Sequence, residues 1–243
     1  MIKIYKQQII EKKINIIANI IGLGQAATPA GLKAMEELSK LETERGNPEY
    51  CKKADFVFNL AGVNRPQNPD EFMQGNFGFA SKLLDTLKKY GNTCPVMLAS
   101  SIQATLIGRY DSDYGRSKKA GEELFFKYAE DTGAKVLVYR FPNLFGKWCK
   151  PNYNSAVATF CHNTANDLPI TVNDPKVELE LLYIDDLVEE MLCALAGKEH
   201  RCEFEGVDTV LTEDGRFCAA PVTHKVTLGE IVALLESFKA QPA

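Results

Sequence analysis

The sequence predicts an α/β fold, a doubly wound and mostly parallel sheet followed by a smaller carboxyl-terminal subdomain, and three observations carry that prediction. Between residues 55 and 141, short apolar runs alternate with amphipathic helical stretches at the spacing of parallel βαβ units. The runs Phe56-Val57-Phe58 and Val136-Leu137-Val138 show no polar alternation, which suits strands buried on both faces. Gly91 and Gly133 follow the helical stretches at the place where a left-handed residue ends a helix.

Taken in order, a first strand is expected within Ile14 to Ile21, then a turn from Gly22 to Ala27 and a helix from Gly31 to Leu41. The turn matches Gly-x-Gly-x-x-Ala, in which glycines let the backbone approach a pyrophosphate, so Gly22 and Gly24 are candidate cofactor-binding residues. Pro29 removes an amide where the helix should already run, and Lys12 and Lys13 precede the strand. A poor dinucleotide loop is therefore expected, and residues 1–45 are atypical. Next come a strand from Asp55 to Leu60, a helix from Glu71 to Tyr90 with Leu83, Leu84 and Leu87 on one face, and a strand from Pro95 to Ser100. A helix from Tyr114 to Asp131 and a strand from Ala134 to Phe141 follow. Beyond Gly146 the pattern predicts a helix from Ser155 to Asn166, a strand pair and a helix from Leu228 to Lys239, with His200 to Pro221 as a surface loop or hairpin. Residues 1–146 would form one unit and 147–243 a subdomain with interleaved elements.

The totals exclude some functions. With 243 residues, 45% hydrophobic and 25% charged, the chain has the composition of a soluble globular protein. A net charge of −4 without a basic block argues against nucleic acid, whose phosphates need clustered Lys and Arg. Seven cysteines without a Cys-x2-Cys pair, and three scattered histidines, predict reduced thiols and no metal. Lys12 and Lys13 before an apolar run resemble a secretion signal, but Asn15 and Asn19 interrupt that run, so a cytoplasmic protein is expected. No stretch reaches the length of a membrane span.

The chemistry concentrates between Ser101 and Lys118. Tyr114 and Lys118 lie one helical turn apart on one face, after a strand ending in Ala99-Ser100-Ser101. A strand-end serine facing a Tyr/Lys pair suits proton delivery to a carbonyl beside a nicotinamide ring. Tyr114 would be the acid, Lys118 the charge that lowers the phenol's pKa, and Ser101 the holder of the substrate oxygen.

Three segments in order, Asn59-Leu60-Ala61-Gly62, Ser101-x12-Tyr114-x3-Lys118 and Arg140-x2-Asn143-x-Phe145-Gly146, resemble the extended branch of the short-chain dehydrogenase/reductase superfamily. Residues 61–66, 100–104, 145–155, 172–174 and 225–231 narrow the resemblance to the reductase domain of capsular-polysaccharide enzymes. The resemblance implies a Rossmann-like sheet and NADPH as cofactor, with NADH left open. It places Leu60, Ala61 and Gly62, together with Tyr114 and Lys118, against that cofactor. It implies reduction at C4 of a UDP-linked 4-keto-6-deoxy-N-acetylhexosamine on the route to UDP-N-acetyl-L-fucosamine. Asn143 would contact the sugar nucleotide. Arg65 and Ser101, and Lys147, Trp148, Asn152 and Asn154 in the amide-rich segment that follows, are the other candidate substrate contacts. Relatives dimerise through the helix bearing the Tyr/Lys pair, which implies a homodimer.

The family's cupin-type second domain is not expected here. Ile102-Gln103 stands where a dehydratase would carry an acidic pair, which disfavours elimination. A nucleotide-sugar 4-epimerase, or a non-catalytic or truncated remnant with a binding role, are the alternatives. Leu182-Tyr183-Ile184-Asp185-Asp186 resembles the element closing the substrate side, and Asp185 or Asp186 is expected as a helix N-cap.

Overall fold

A computed structural model describes residues 16–19 and 50–241. Strand β1 (Ile16–Asn19) runs parallel to β2 (Phe56–Asn59), with Asn19 opposite Asn59. The turns predicted at Gly22 and Gly24, and the helix after them, lie outside the described residues. A short helix α1 (Tyr50–Lys53) leads into β2. The long helix expected next starts as α2 (Asp70–Phe72), widens into π turns over Met73–Gly78 and continues as α3 (Phe79–Lys89). Such widening turns a side chain out of the regular helical spacing, and here the turned residue is Asn76, which is buried.

Strand β3 (Val96–Ser101) follows, then two 3-10 turns, Ile102–Thr105 and Gly108–Tyr110, and helix α4 (Asp113–Thr132). The α4 start is capped by Ser112, whose hydroxyl accepts from the Gly115 amide at 3.1 Å, and its end by Gly133 at φ 71°. Strand β4 (Val136–Phe141) ends the regular βαβ run. The chain then enters a second layer: β5 (Asn143–Phe145), α5 (Ala156–Ala165), β6 (Glu178–Tyr183) and α6 (Ile184–Leu195). It returns through β7 (Arg201–Glu205), β8 (Asp208–Leu211) and β9 (Phe217–Cys218), and closes with β10 (His224–Thr227) and α7 (Leu228–Lys239).

Among the described residues the main sheet runs β1-β2-β3-β4-β9-β7-β8, parallel through β9, with β7 and β8 antiparallel. A smaller sheet, β10-β6-β5, lies apart from it. Successive strand residues point to opposite faces, and the core divides accordingly. Val57, Val96, Leu98, Val136 and Val138 pack with α3 and α4, whereas Phe56, Phe58, Met97, Leu137 and Tyr139 pack with α6.

One expectation is met in part and another is overturned. His200 to Pro221 holds the expected hairpin, β7 with β8, but it is not surface loop: β7, β8 and β9 extend the main sheet, and Cys202, Phe217 and Cys218 are buried. The charges in Arg201-Cys202-Glu203-Phe204-Glu205 belong to a strand that buries alternate residues. Asp185 and Asp186 are not N-caps either. Tyr183 takes that position without a side-chain bond, and the two carboxylates sit in the first turn of α6, where the helix dipole favours them. All seven cysteines are free thiols. Among the described residues no helix is long and apolar enough to cross a membrane.

Candidate active site

The site gathers at the carboxyl ends of β2 and β3, where open α/β sheets place their ligands. Strand β3 presents three consecutive residues to three successive turns of α4. Ser101 stands at the Tyr114 phenol and favours its ionised form. The Ala99 carbonyl accepts from Lys118 Nζ at 2.9 Å. The Ser100 hydroxyl donates to Glu122 Oε1 at 2.6 Å. The Lys118 ammonium stands 5.7 Å from the centre of the Tyr114 ring, and Phe72 meets the same ring edge-on at 5.7 Å. Sequence spacing predicted the trio of Ser101, Tyr114 and Lys118, and the structure brings all three together.

The electrostatics differ from the expectation that Lys118 lowers the tyrosine. Burial pushes the Tyr114 phenol up to about 12, and the neighbouring Ser101 side chain offsets this only in part. Burial also lowers the Lys118 ammonium to about 8, opposed by the negative charge of Glu122.

Two further groups escaped the sequence reading. Asn76 accepts from the Val63 amide at 2.8 Å and donates to Ser117 Oγ at 2.8 Å. Ser117 in turn donates to the Tyr114 carbonyl at 2.8 Å, so Asn76 ties the loop after β2 to the start of α4. Glu122 is held by Arg140, whose Nη2 and Nε reach its carboxylate at 2.7 and 2.9 Å. The Arg140 guanidinium also lies 4.1 Å from the Phe217 ring centre and 5.0 Å from that of Phe204.

The loop from Leu60 to Gly62 forms the floor. A Cβ on Gly62 would lie 3.0 Å from Lys118 Nζ and 3.1 Å from Asn76 Oδ1, so only a glycine leaves that approach open. Asn59 is 1% exposed, and its Oδ1 is buried with no hydrogen-bond partner among the described residues. A flat ligand carrying hydrogen-bond donors fits such a floor, with one unsatisfied acceptor beside backbone that carries no side chain. The residues present therefore fit a nicotinamide dinucleotide.

The candidate substrate residues make contacts of their own. Arg65 donates from Nε to Asn154 Oδ1 at 3.0 Å and from Nη2 to the Tyr153 carbonyl, and lies 4.9 Å from the Tyr153 ring centre. Asn143 Nδ2 donates to the Glu180 carbonyl at 3.2 Å, and Lys147 pairs with Asp185 at 2.5 Å. Trp148 is 57% exposed in a left-handed backbone conformation, φ 63°, and Asn152 has φ 56°. Two such residues in one segment mark local strain, which tends to persist at binding sites.

Comparison with known proteins follows the same lines. A family model described as the NAD dependent epimerase/dehydratase family matches residues 39–204. The UDP-2-acetamido-2,6-beta-L-arabino-hexul-4-ose reductase of Pseudomonas aeruginosa is 46% identical over 158 residues, 65% of this chain and 41% of its own. The crystal structure of CapF from Staphylococcus aureus, a capsular polysaccharide assembling protein, superposes with a TM-score of 0.70 at 40% identity. That match covers 93% of this chain and 58% of CapF. The chain thus spans about half the length of these relatives. A UDP-glucuronic acid 4-epimerase from Bacillus cereus shares the fold, with a TM-score of 0.71 at 18% identity over 98% of this chain and 79% of its own.

Proposed function

The chain belongs to the NAD dependent epimerase/dehydratase family, and from that premise we propose that it reduces the C4 carbonyl of a UDP-linked 4-keto-6-deoxy-N-acetylhexosamine with a reduced nicotinamide dinucleotide, NADPH by resemblance. The observation that carries this reading is the Tyr114 phenol, with Ser101 at its oxygen and Lys118 flanking its ring, beside the bare floor at Gly62. The name of the relative at 46% identity supports the substrate class.

The dinucleotide would rest on Leu60, Ala61 and Gly62, with Lys118 at its ribose and the unpaired Oδ1 of Asn59 beside it. When bound it supplies a hydride. This chain's residues do the rest. Ser101 donates a hydrogen bond to the carbonyl oxygen and fixes its distance from Tyr114. Tyr114 delivers the proton as the oxygen gains charge. Held up to about 12, the phenol stays protonated across the working range, which suits a proton donor. Lys118, near 8, is the group whose loss of charge sets the alkaline limit. Arg65, Asn143, Lys147, Trp148, Asn152 and Asn154 would hold the UDP and N-acetyl groups. A homodimer in the cytoplasm completes the reading.

The test is stoichiometric. Mixing the chain with the UDP-linked 4-keto sugar and NADPH is expected to oxidise one NADPH per sugar reduced, followed by nicotinamide absorbance. A sugar inverted at C4 with no net NADPH oxidation would establish the 4-epimerase reading instead. Absence of both reactions, together with absence of NADPH binding by calorimetry, would leave a non-catalytic role.

A further inference from the structure

Among the described residues, Lys118 is the cation that faces the Tyr114 ring and the floor at Gly62, yet it is only 7% exposed. Its ammonium has the Ala99 carbonyl at 2.9 Å, a neutral acceptor. A buried ammonium without a nearby anion tends to lose its proton. The anion comes from the next turn of the same helix. Glu122 is 2% exposed and lies on the α4 face that carries Tyr114 and Lys118, at the same four-residue spacing. Its carboxylate is immobilised from three directions, by Ser100 from β3 and by the Nε and Nη2 of Arg140 from β4. Ser100 and Arg140 are register partners across the two strands, so the sheet itself fixes the carboxylate.

We propose that Glu122 is a positioning residue: held by Ser100 and Arg140, it keeps Lys118 charged and in place beside Tyr114. The proposal deepens the reductase reading and rests on it only for the catalytic consequence. The groups placed at Lys118 are Tyr114 and Glu122 from its own helix, the Ala99 carbonyl from β3, and Asn76 from the π turns across Gly62. Arg140 approaches from β4 behind Glu122. Glu122 is the anion in this set, and its charge opposes the burial that drives Lys118 down. Arg140 forks onto the carboxylate from the side away from Lys118's helix. The arrangement thus delivers negative charge to a buried cation through a carboxylate that cannot swing onto the substrate.

Glu122→Gln removes the charge and keeps the shape, but leaves Arg140 unpaired. The double variant Glu122→Gln/Arg140→Gln relieves that strain, so it serves where the single variant fails to fold. The direct readout is the Lys118 midpoint, followed by NMR of isotope-labelled lysine and assigned with Lys118→Arg. In both variants the midpoint is expected to fall by about one unit, the size of effect an adjacent opposite charge exerts. The alkaline limb of kcat/KM is expected to move with it. An unchanged midpoint overturns the proposal. So does a midpoint that falls in the single variant and recovers in the double, because the effect would then belong to the unpaired Arg140. A lowered midpoint in a protein that turns over no keto sugar would uphold the proposal and refute the reductase reading, so the two failures are told apart.

Discussion

Tyr139 and Arg140 are neighbours on β4, point to opposite faces of the sheet, and each engages a buried glutamate from a helix. On the α4 face, Arg140 forks onto Glu122, one turn beyond Lys118. On the α6 face, the Tyr139 hydroxyl donates to Glu190 Oε1 at 2.6 Å. The same carboxylate takes the His200 amide at 3.0 Å and faces His200 Nδ1 at 2.5 Å. One carboxylate is matched to a permanent cation and sits beside the reacting pair. The other is matched to a phenol, an imidazole and a backbone amide, and pins α6 and the entry to β7 onto the sheet. The same side chain thus serves chemistry on one face and attachment on the other, and its partners reveal which.

The largest expected effect lies on the α4 face. Tyr114→Phe keeps the ring against Phe72 but removes the proton, so turnover is expected to fall by roughly 10²–10⁴-fold with an unchanged melting temperature. Near-normal turnover would erase the distinction between the faces. Arg140→Met strands the buried Glu122 charge and is expected to cost about 3–5 kcal/mol, read from chemical denaturation.

Lys118→Met gives a test by pH. The folded-state value of Lys118, about 8, lies below the ordinary lysine value near 10.4. The unfolded chain therefore binds more protons within that window. Wild-type stability should rise as pH increases from about 8 to 10.4, by about 3 kcal/mol, and this rise should be missing in the variant. Denaturation at a series of pH values checks it. A wild-type curve parallel to that of the variant would mean that the ammonium is not desolvated.

On the α6 face, Glu190→Gln is expected to cost about 1–3 kcal/mol while kcat/KM stays unchanged. A matching loss of turnover would show that the two faces are coupled. The smallest effect is expected at the exposed Lys147–Asp185 pair. Breaking the Lys147–Asp185 pair with Lys147→Met should alter stability by less than about 1 kcal/mol, and saturating UDP should still change Trp148 fluorescence.

The trio of Ser101, Tyr114 and Lys118 was legible because a strand end and a helical repeat place those residues by geometry alone. Strands with continuous apolar runs and helices ended by glycine were legible for the same reason. Glu122 was not, because a glutamate among Lys119, Gly121 and Glu123 reads as part of a solvated helix face. Only its register with Ser100 and Arg140, some 20 residues away on either side, shows it to be buried. Asn76 was hidden by the π turns, which displace it from the periodicity that sequence reading relies on. The fold of β7 and β8 was obscured because most of their residues are at least partly exposed and several carry charge.

The contacts between β3 and α4 also have a mechanical meaning. A helix lying on a sheet retains two cheap motions, rolling about its axis and sliding along it. The links from Ala99 to Lys118 and Ser100 to Glu122, with the fork of Arg140 from β4 onto Glu122, are three constraints on those two freedoms, so the seating of the helix is over-determined by one. Removing a single link leaves the helix registered, whereas removing two releases it, and tolerance to damage at this site should end abruptly at the second loss.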